Sequence, residues 1–437
     1  LEEVMMDEVL RAFSQSRCVS MLTSLFLGGS PFQKLSVTDE GFHALVRAGC
    51  GAQLTTLHLE SLEEGVTEEG LCALAEAGCG EQLTSLHLEW LAGGDTDGGM
   101  RALASAGCGV KLTSLFLGGT LFHFLNVSDD GLRALAEAGC GANLTSLHFE
   151  RLNRGVTDEG ICALAESGCG ARLISLHLEG LGSGVTDAGL RALAEAGCGH
   201  HLTSLSLRDL MMGVTDLGIH ALAETMCGRP QLTFLDLLGL QEEVTDEGLC
   251  SLARSGCGPQ LSTLLLAELK EGITDKSLRY LAEAGCGGQL TTLRLASLKI
   301  GVTDLGIRAL AQAGCGPQLI SLSLGGLSTR VIDLGLRALA EAGCGAHLTS
   351  LSLEGYYPMK IVPVVPRTSD LQLFASHICV LASLGDPHLS TASTLLRQHV
   401  HPSFLPLLHP LRDPHPKVCR LSVCKRFLPL LSWISSK

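Results

Sequence analysis

Apolar and polar residues alternate along short stretches such as Leu54-Thr55-Thr56-Leu57-His58-Leu59-Glu60. Alternation of this kind predicts a strand with one buried face: Leu57 and Leu59 point inward, Thr56, His58 and Glu60 outward. About six residues further on comes V-T-D, and Thr and Asp supply oxygens for the first unpaired N–H groups of a helix. G-L-x-A-L-A-E-A then places apolar residues at i, i+3 and i+4, the stripe of a short amphipathic helix. G-C-G follows, where glycine accommodates a left-handed helix end. One strand, one turn, one helix and one turn back therefore make a unit, and the unit recurs. The second-last apolar residue of the strand falls at Leu25, Leu57, Leu86, Leu115, Leu147, Leu176, Leu205, Leu235, Leu264, Leu293, Leu322 and Leu351. The steps are 29 or 30, with two of 32. A fixed period of this size predicts a solenoid, because no single unit can bury both its strand face and its helix stripe, whereas stacked neighbours can.

The pattern L-x-x-L-x-L…(V/I)-T-D-x-G-L-x-x-L-A-x-x-x-C resembles the cysteine-containing class of leucine-rich repeats, best known from F-box proteins. The 29-residue period is nearer the ribonuclease-inhibitor type, and the residue closing the strand turn is Leu (Leu62, Leu152, Leu181) rather than Asn or Cys. The resemblance covers about residues 7 to 355. It implies a right-handed α/β leucine-rich-repeat solenoid, a horseshoe of about twelve strand–helix repeats with a parallel sheet on its concave side. F-box proteins are substrate receptors of cullin-type ubiquitin ligases, so the resemblance also implies such a role as an alternative to plain protein binding. That alternative requires an F-box upstream of Leu1.

The expected domains are 1–355, the solenoid, and 356–437, a tail. The first repeat is cut short, since Asp7–Phe13 aligns with D-E-G-L-R-A-L, and the chain reads as a fragment. Residues 25–114 match 115–204 at an offset of 90, as a duplicated three-repeat block would. The repeat pattern stops after Glu354. The rest holds ten of the 14 Pro and six of the 16 His, and its basic residues outnumber its acidic ones nine to three. It is expected to be of low order or an irregular cap on the last strand.

The net charge of −14 speaks against a nucleic-acid binder, which wants a basic stripe. No apolar run reaches the roughly 18 residues of a membrane helix. Of the 18 Cys, twelve occupy the repeat position from Cys18 to Cys344. One Cys per repeat forms a column of small buried hydrophobes rather than a disulfide framework, which points to a reducing compartment, cytoplasm or nucleus. The His-x-Glu pairs (His58/Glu60, His87/Glu89, His148/Glu150, His177/Glu179) tempt a metal reading, but duplication explains their recurrence and Phe116 interrupts them. The Asp column (Asp39, Asp129, Asp158, Asp187, Asp216, Asp246, Asp275, Asp304) reads as helix capping. G-C-G follows a helix rather than preceding one, so it is no phosphate loop. No nucleophile–base arrangement stands out. The expectation is a monomer without cofactor, metal or catalysis, binding an unknown protein; an enzyme with a site on the concave sheet is the remaining alternative, with no constellation to support it.

Departures from the monotonous outward positions mark where. Phe234, Asp236 and Leu238 sit two apart on one strand, with Leu265 and Arg294 on the next two and Arg208 alongside. They predict an apolar centre with a charged rim. Trp90, at the position of Gly180 in the duplicate, and Phe116 form a second, smaller patch.

Overall fold

Residues 54–83 show how one repeat closes. Leu54, Leu57, Leu59, Leu62, Val66, Leu71, Leu74, Cys79 and Leu83 are all withdrawn from solvent, none more than 1% exposed. Each buried Leu contributes about 1.5–3 kcal/mol, and the burial comes from the repeats above and below. A computed structural model describes residues 4–352, apart from positions 17, 328 and 345 and the stretches 29–34, 94–95, 120–124, 153–154, 211–212, 228–231, 241–243, 270–271 and 299–300, together with residues 420–422. The chain divides into two compact units, Leu1–Cys257 and Gly258–Lys437.

In the first unit the repeat strands are β1 (Ser24–Gly28), β2 (Thr56–Thr67), β3 (Ser85–Gly93), β4 (Ser114–Gly118), β5 (Ser146–Glu150), β6 (Ser175–Glu179), β7 (Ser204–Ser206) and β8 (Phe234–Asp236). Each pairs in parallel with the next, Leu opposite Leu. The second unit continues the plan with β9 (Thr263–Ala267), β10 (Thr292–Ala296), β11 (Ser321–Ser323) and β12 (Ser350–Ser352), again parallel and in register. Of the tail, Arg420–Ser422 pairs in parallel with β12; the remainder of 356–437 lies outside the described residues. The chain thus has the α/β leucine-rich-repeat fold, one strand and one helix per repeat. The Leu that closes the strand turn makes a second, shorter ladder, Leu35 to Leu62 to Leu91, with Leu125 bridged to Leu152.

Two residues of T-D-x-G-L do more than cap. Thr157 is the N-cap of the helix Asp158–Glu166 and accepts from the Glu159 N–H. It is itself held by the previous repeat. Asp129 accepts from the Thr157 N–H at 2.8 Å, the Thr157 hydroxyl at 2.6 Å and the Gly160 N–H at 2.9 Å. The same clamp joins Asp158 to Thr186, Asp187 to Thr215 and Asp216 to Thr245, and Asp275 to Thr303 in the second unit. The glycine follows from this: a Cβ on Gly160 would lie 2.5 Å from Asp129 Oδ1. The Asp column is therefore a repeat-to-repeat clamp, and Thr is the cap.

The cysteine column is buried at Cys50, Cys79, Cys108, Cys140, Cys169, Cys198, Cys257, Cys286 and Cys315. Two positions depart from the expected burial. Cys18 is exposed in the shortened first repeat, and Cys227 is exposed because its helix runs on. Where the repeats after the first otherwise have Ala-Gly-Cys or Ser-Gly-Cys, this one has Thr225-Met226-Cys227. Without the glycine, which elsewhere takes φ near +90° (Gly197, φ 89), the left-handed stop is disfavoured. The helix Asp216–Met226 gains two residues and Met226 is buried instead. Cys344 is half-buried in the last repeat.

Candidate protein-binding face

The outward side chains of the first unit fall into three columns across the strands. The middle column holds planar rings almost throughout. In register, Phe26 (β1), His58 (β2), His87 (β3), Phe116 (β4), His148 (β5), His177 (β6), Ser206 (β7) and Asp236 (β8) are neighbours. Parallel strands ~4.8 Å apart bring successive rings within stacking reach. His58 and His87 stack at 3.8 Å between centroids, His87 and Phe116 at 3.9 Å, His148 and His177 at 4.1 Å, each pair within 9° of parallel. Phe26 closes one end at 5.4 Å from His58. At the other, Phe234 leans across β7, where the side chains are only Ser204 and Ser206, to meet His177 at 5.6 Å. Phe116 and His148, 5.9 Å apart and tilted 49°, join the two stacks.

Hydrogen bonds set the tilt. His58 Nε2 lies 3.2 Å from Glu60 Oε2 and His87 Nε2 3.3 Å from Glu89 Oε2, along their own strands. His148 and His177 turn instead to the next strand, with Nε2 at 2.8 Å from Ser175 Oγ and 2.7 Å from Ser204 Oγ. Burial, and then the neighbouring His177, pushes His148 down to about 4. Burial, and then Arg208, pushes His177 to about 4 as well. Both rings are neutral at pH 7 and stack as apolar surfaces. Flanking the rings on one side are Thr56, Ser85, Ser114, Ser146, Ser175 and Ser204. On the other are Glu60, Glu89, Glu150 and Glu179, with Gly118 between. Burial raises the Glu150 carboxyl against the opposing pull of Arg151, its ion-pair partner.

The residues singled out in the sequence are placed as follows. Phe116 and Phe234 belong to the ring row. Asp236 faces the same side but is fully buried, because Arg208 closes over it with Nε at 3.0 Å from Oδ2, and its Oδ1 accepts from the Leu238 N–H at 3.0 Å. Leu238 is 8% exposed. β8 ends at Asp236, and the chain turns through Gly239 at φ 75, so the alternation that would have carried Leu238 outward stops short of it. The apolar centre there is the half-buried Phe234, without Leu238. Trp90 lies in β3 with its side chain outside the described residues. In the second unit Leu265 and Arg294 are register partners on β9 and β10, both half-buried. The continuous ring row is what a repeat-by-repeat reading misses. Its signal was the position directly after each Leu25-type residue, which reads Phe, His, His, Phe, His, His across six repeats.

One Ser–His–Glu grouping does form in space, away from the sheet. His220 Nδ1 lies 3.2 Å from Ser251 Oγ and its Nε2 3.2 Å from Glu224 Oε1. His220 and Glu224 are more than half exposed on one helix, and the backbone N–H groups around them are spent within their helices. Among the described residues no three His, Cys, Asp or Glu side chains are arranged to hold a metal, and no helix is long and apolar enough to cross a membrane.

No protein-family model matches the chain, and no curated protein does. Several solved structures are similar. The yeast Rad7–Elc1 complex is 20% identical, with 84% of this chain and 88% of that one covered and a TM-score of 0.42. An internalin from Listeria monocytogenes is 19% identical, with 80% and 89% covered and a TM-score of 0.44. The Toll–Spätzle complex of Drosophila is 13% identical, with 78% and 40% covered and a TM-score of 0.36.

Proposed function

We propose that this chain is a non-catalytic scaffold that binds another protein on the outward strand face of its first unit. The observation that carries the reading is the unbroken ring row from Phe26 to Phe234, of which Phe26 is 63% exposed. Aligned planar side chains form a pre-set surface that loses little side-chain entropy on binding, and aromatic anchors commonly carry interface energy. Phe116 and Phe234 are the proposed anchors, and the locked Arg208–Asp236 pair is the charged end of the rim. Leu265 and Arg294 make a separate, smaller candidate on the strand face of the second unit. The thiol column favours a reducing compartment, cytoplasm or nucleus, and a monomer is consistent with a protein-binding scaffold.

The test is affinity capture from lysate with the intact chain, Phe116→Ala, Phe234→Ala and a helix-face control, Leu217→Ala, whose side chain is exposed. Proteins bound through the ring row should be lost from both Phe variants and kept by the control. Equal capture by all four would sink the proposal. The T-D-x-G-L and cysteine motif supports a second reading, the substrate-receptor part of an F-box ubiquitin ligase. Co-purification of a cullin with the full-length gene product would support it, and a gene without an F-box would remove it.

A further inference from the structure

Resting on that reading, we infer that the partner presents a basic amphipathic helix to this face. Glu60, Glu89, Glu150 and Glu179 stand on one edge of the ring row. Glu150 is paired with Arg151, and Arg208 is engaged with Asp236. Among the described residues the ion-pair contacts of Glu60 and Glu89 are with His58 and His87, at 3.2 and 3.3 Å; Glu179 has His177 at 3.7 Å, held neutral by burial, with the Arg208 guanidinium nearby but committed to Asp236. The face is thus a band of stacked ring edges with carboxylates along one side and hydroxyls along the other. An occupant that matches it carries an apolar stripe with Lys or Arg along one flank.

Spacing favours a helix over an extended segment. Adjacent strands set Glu60 and Glu89 ~4.8 Å apart, close to the ~5–6 Å between helix residues at i and i+3 or i+4. Residues on one side of an extended segment repeat at ~6.8 Å instead. Glu179 lies three strands beyond Glu89, ~14 Å, which is about ten residues of helix rise. Basic residues at i, i+3 or i+4, and about i+13 of one helix then meet all three carboxylates while its apolar stripe lies on His87, Phe116 and His148.

A second observation sits in the same row. The Ser206 side chain is fully buried, and its hydroxyl has no hydrogen-bond partner among the described residues. It lies in the ring column between His177 and Asp236. A buried hydroxyl left unpaired is costly, and a polar group entering beside Phe234 would satisfy it.

The probe is a fluorescein-labelled 18-residue Lys/Leu amphipathic peptide, with a Glu/Leu peptide of the same periodicity for comparison. Its affinity for the whole chain is read by anisotropy. Glu60→Gln/Glu89→Gln/Glu179→Gln combined should weaken Lys/Leu binding about tenfold, a loss of ~1.4 kcal/mol. Glu137→Gln/Glu166→Gln/Glu195→Gln, the same charge change on exposed helix positions, should change it by less than about twofold. Equal loss in the two triple variants would mean unspecific attraction to an acidic protein and overturn the proposal, as would no measurable binding of the Lys/Leu peptide. If Phe116→Ala abolishes binding while the face triple does not, or if the Glu/Leu peptide binds as well, the basic partner is refuted and the strand-face reading stands.

Discussion

Asp129 and Asp130 are adjacent in the first turn of one helix, and the contrast between them isolates the clamp. Asp130 pairs with Arg133 at 2.7 Å on an exposed surface, an interaction worth about 0–1 kcal/mol. Asp129 accepts three hydrogen bonds from Thr157 and Gly160 of the following repeat. Bonds to a charged acceptor contribute about 1.5–3 kcal/mol each, nominally ~4–9 kcal/mol for three. The site is only part-buried, so water recovers some of this when the carboxylate is removed. Both residues also face the positive end of the helix dipole, a contribution of about 0.3–1 kcal/mol that cancels in the comparison. Asp129→Ala should therefore cost about 3–5 kcal/mol and Asp130→Ala less than ~1 kcal/mol, measured by urea denaturation followed by circular dichroism. A double-mutant cycle with Thr157→Val should return a coupling of at least ~1.5 kcal/mol. Since repeats contact only their neighbours, the loss should also split the transition, the repeats on either side of the break melting separately. Costs equal within ~0.5 kcal/mol for the two aspartates, or additive effects of Asp129 and Thr157, would show that the carboxylate merely caps its own helix.

Three further outcomes follow from the same geometry. His148 and His177 are lowered from 6.5 to about 4, so the folded chain holds fewer protons than the unfolded chain between those values. Their contribution is complete above pH 6.5 and disappears as the pH falls towards 4, and the acid-side fall in melting temperature should shrink in a His148→Gln/His177→Gln variant. Thiol labelling of native protein should modify Cys18 and Cys227 quickly, while Cys79, Cys108 and Cys169, pushed up to about 12 by burial, react only in denaturant; quick native labelling of those three would contradict the buried column. Leu176→Ala, which empties a fully buried site between strands, should cost about 2–5 kcal/mol by chemical denaturation, whereas Phe116→Ala on the outward face should leave stability within about 1 kcal/mol.

The sequence alone determined the repeat, because its information is local. Alternation names the strand, the i, i+3, i+4 stripe names the helix, and the period guarantees that whatever one repeat leaves open the next one closes. Leu57 and Leu59 inward, His58 and Glu60 outward, and one cysteine per repeat in the core are all legible that way. Tertiary structure decided what depends on a neighbour 29 residues away or on where a strand ends. Asp129 looks like a cap until the next repeat brings Thr157 and Gly160 against it. Leu238 looks outward until β8 stops two residues short, and Asp236 looks like a free rim charge until Arg208 covers it. The ring row belongs to the same class: each His or Phe is unremarkable in its own strand. Only parallel pairing in register, at a spacing close to the thickness of an aromatic ring, turns six of them and a leaning Phe234 into one surface.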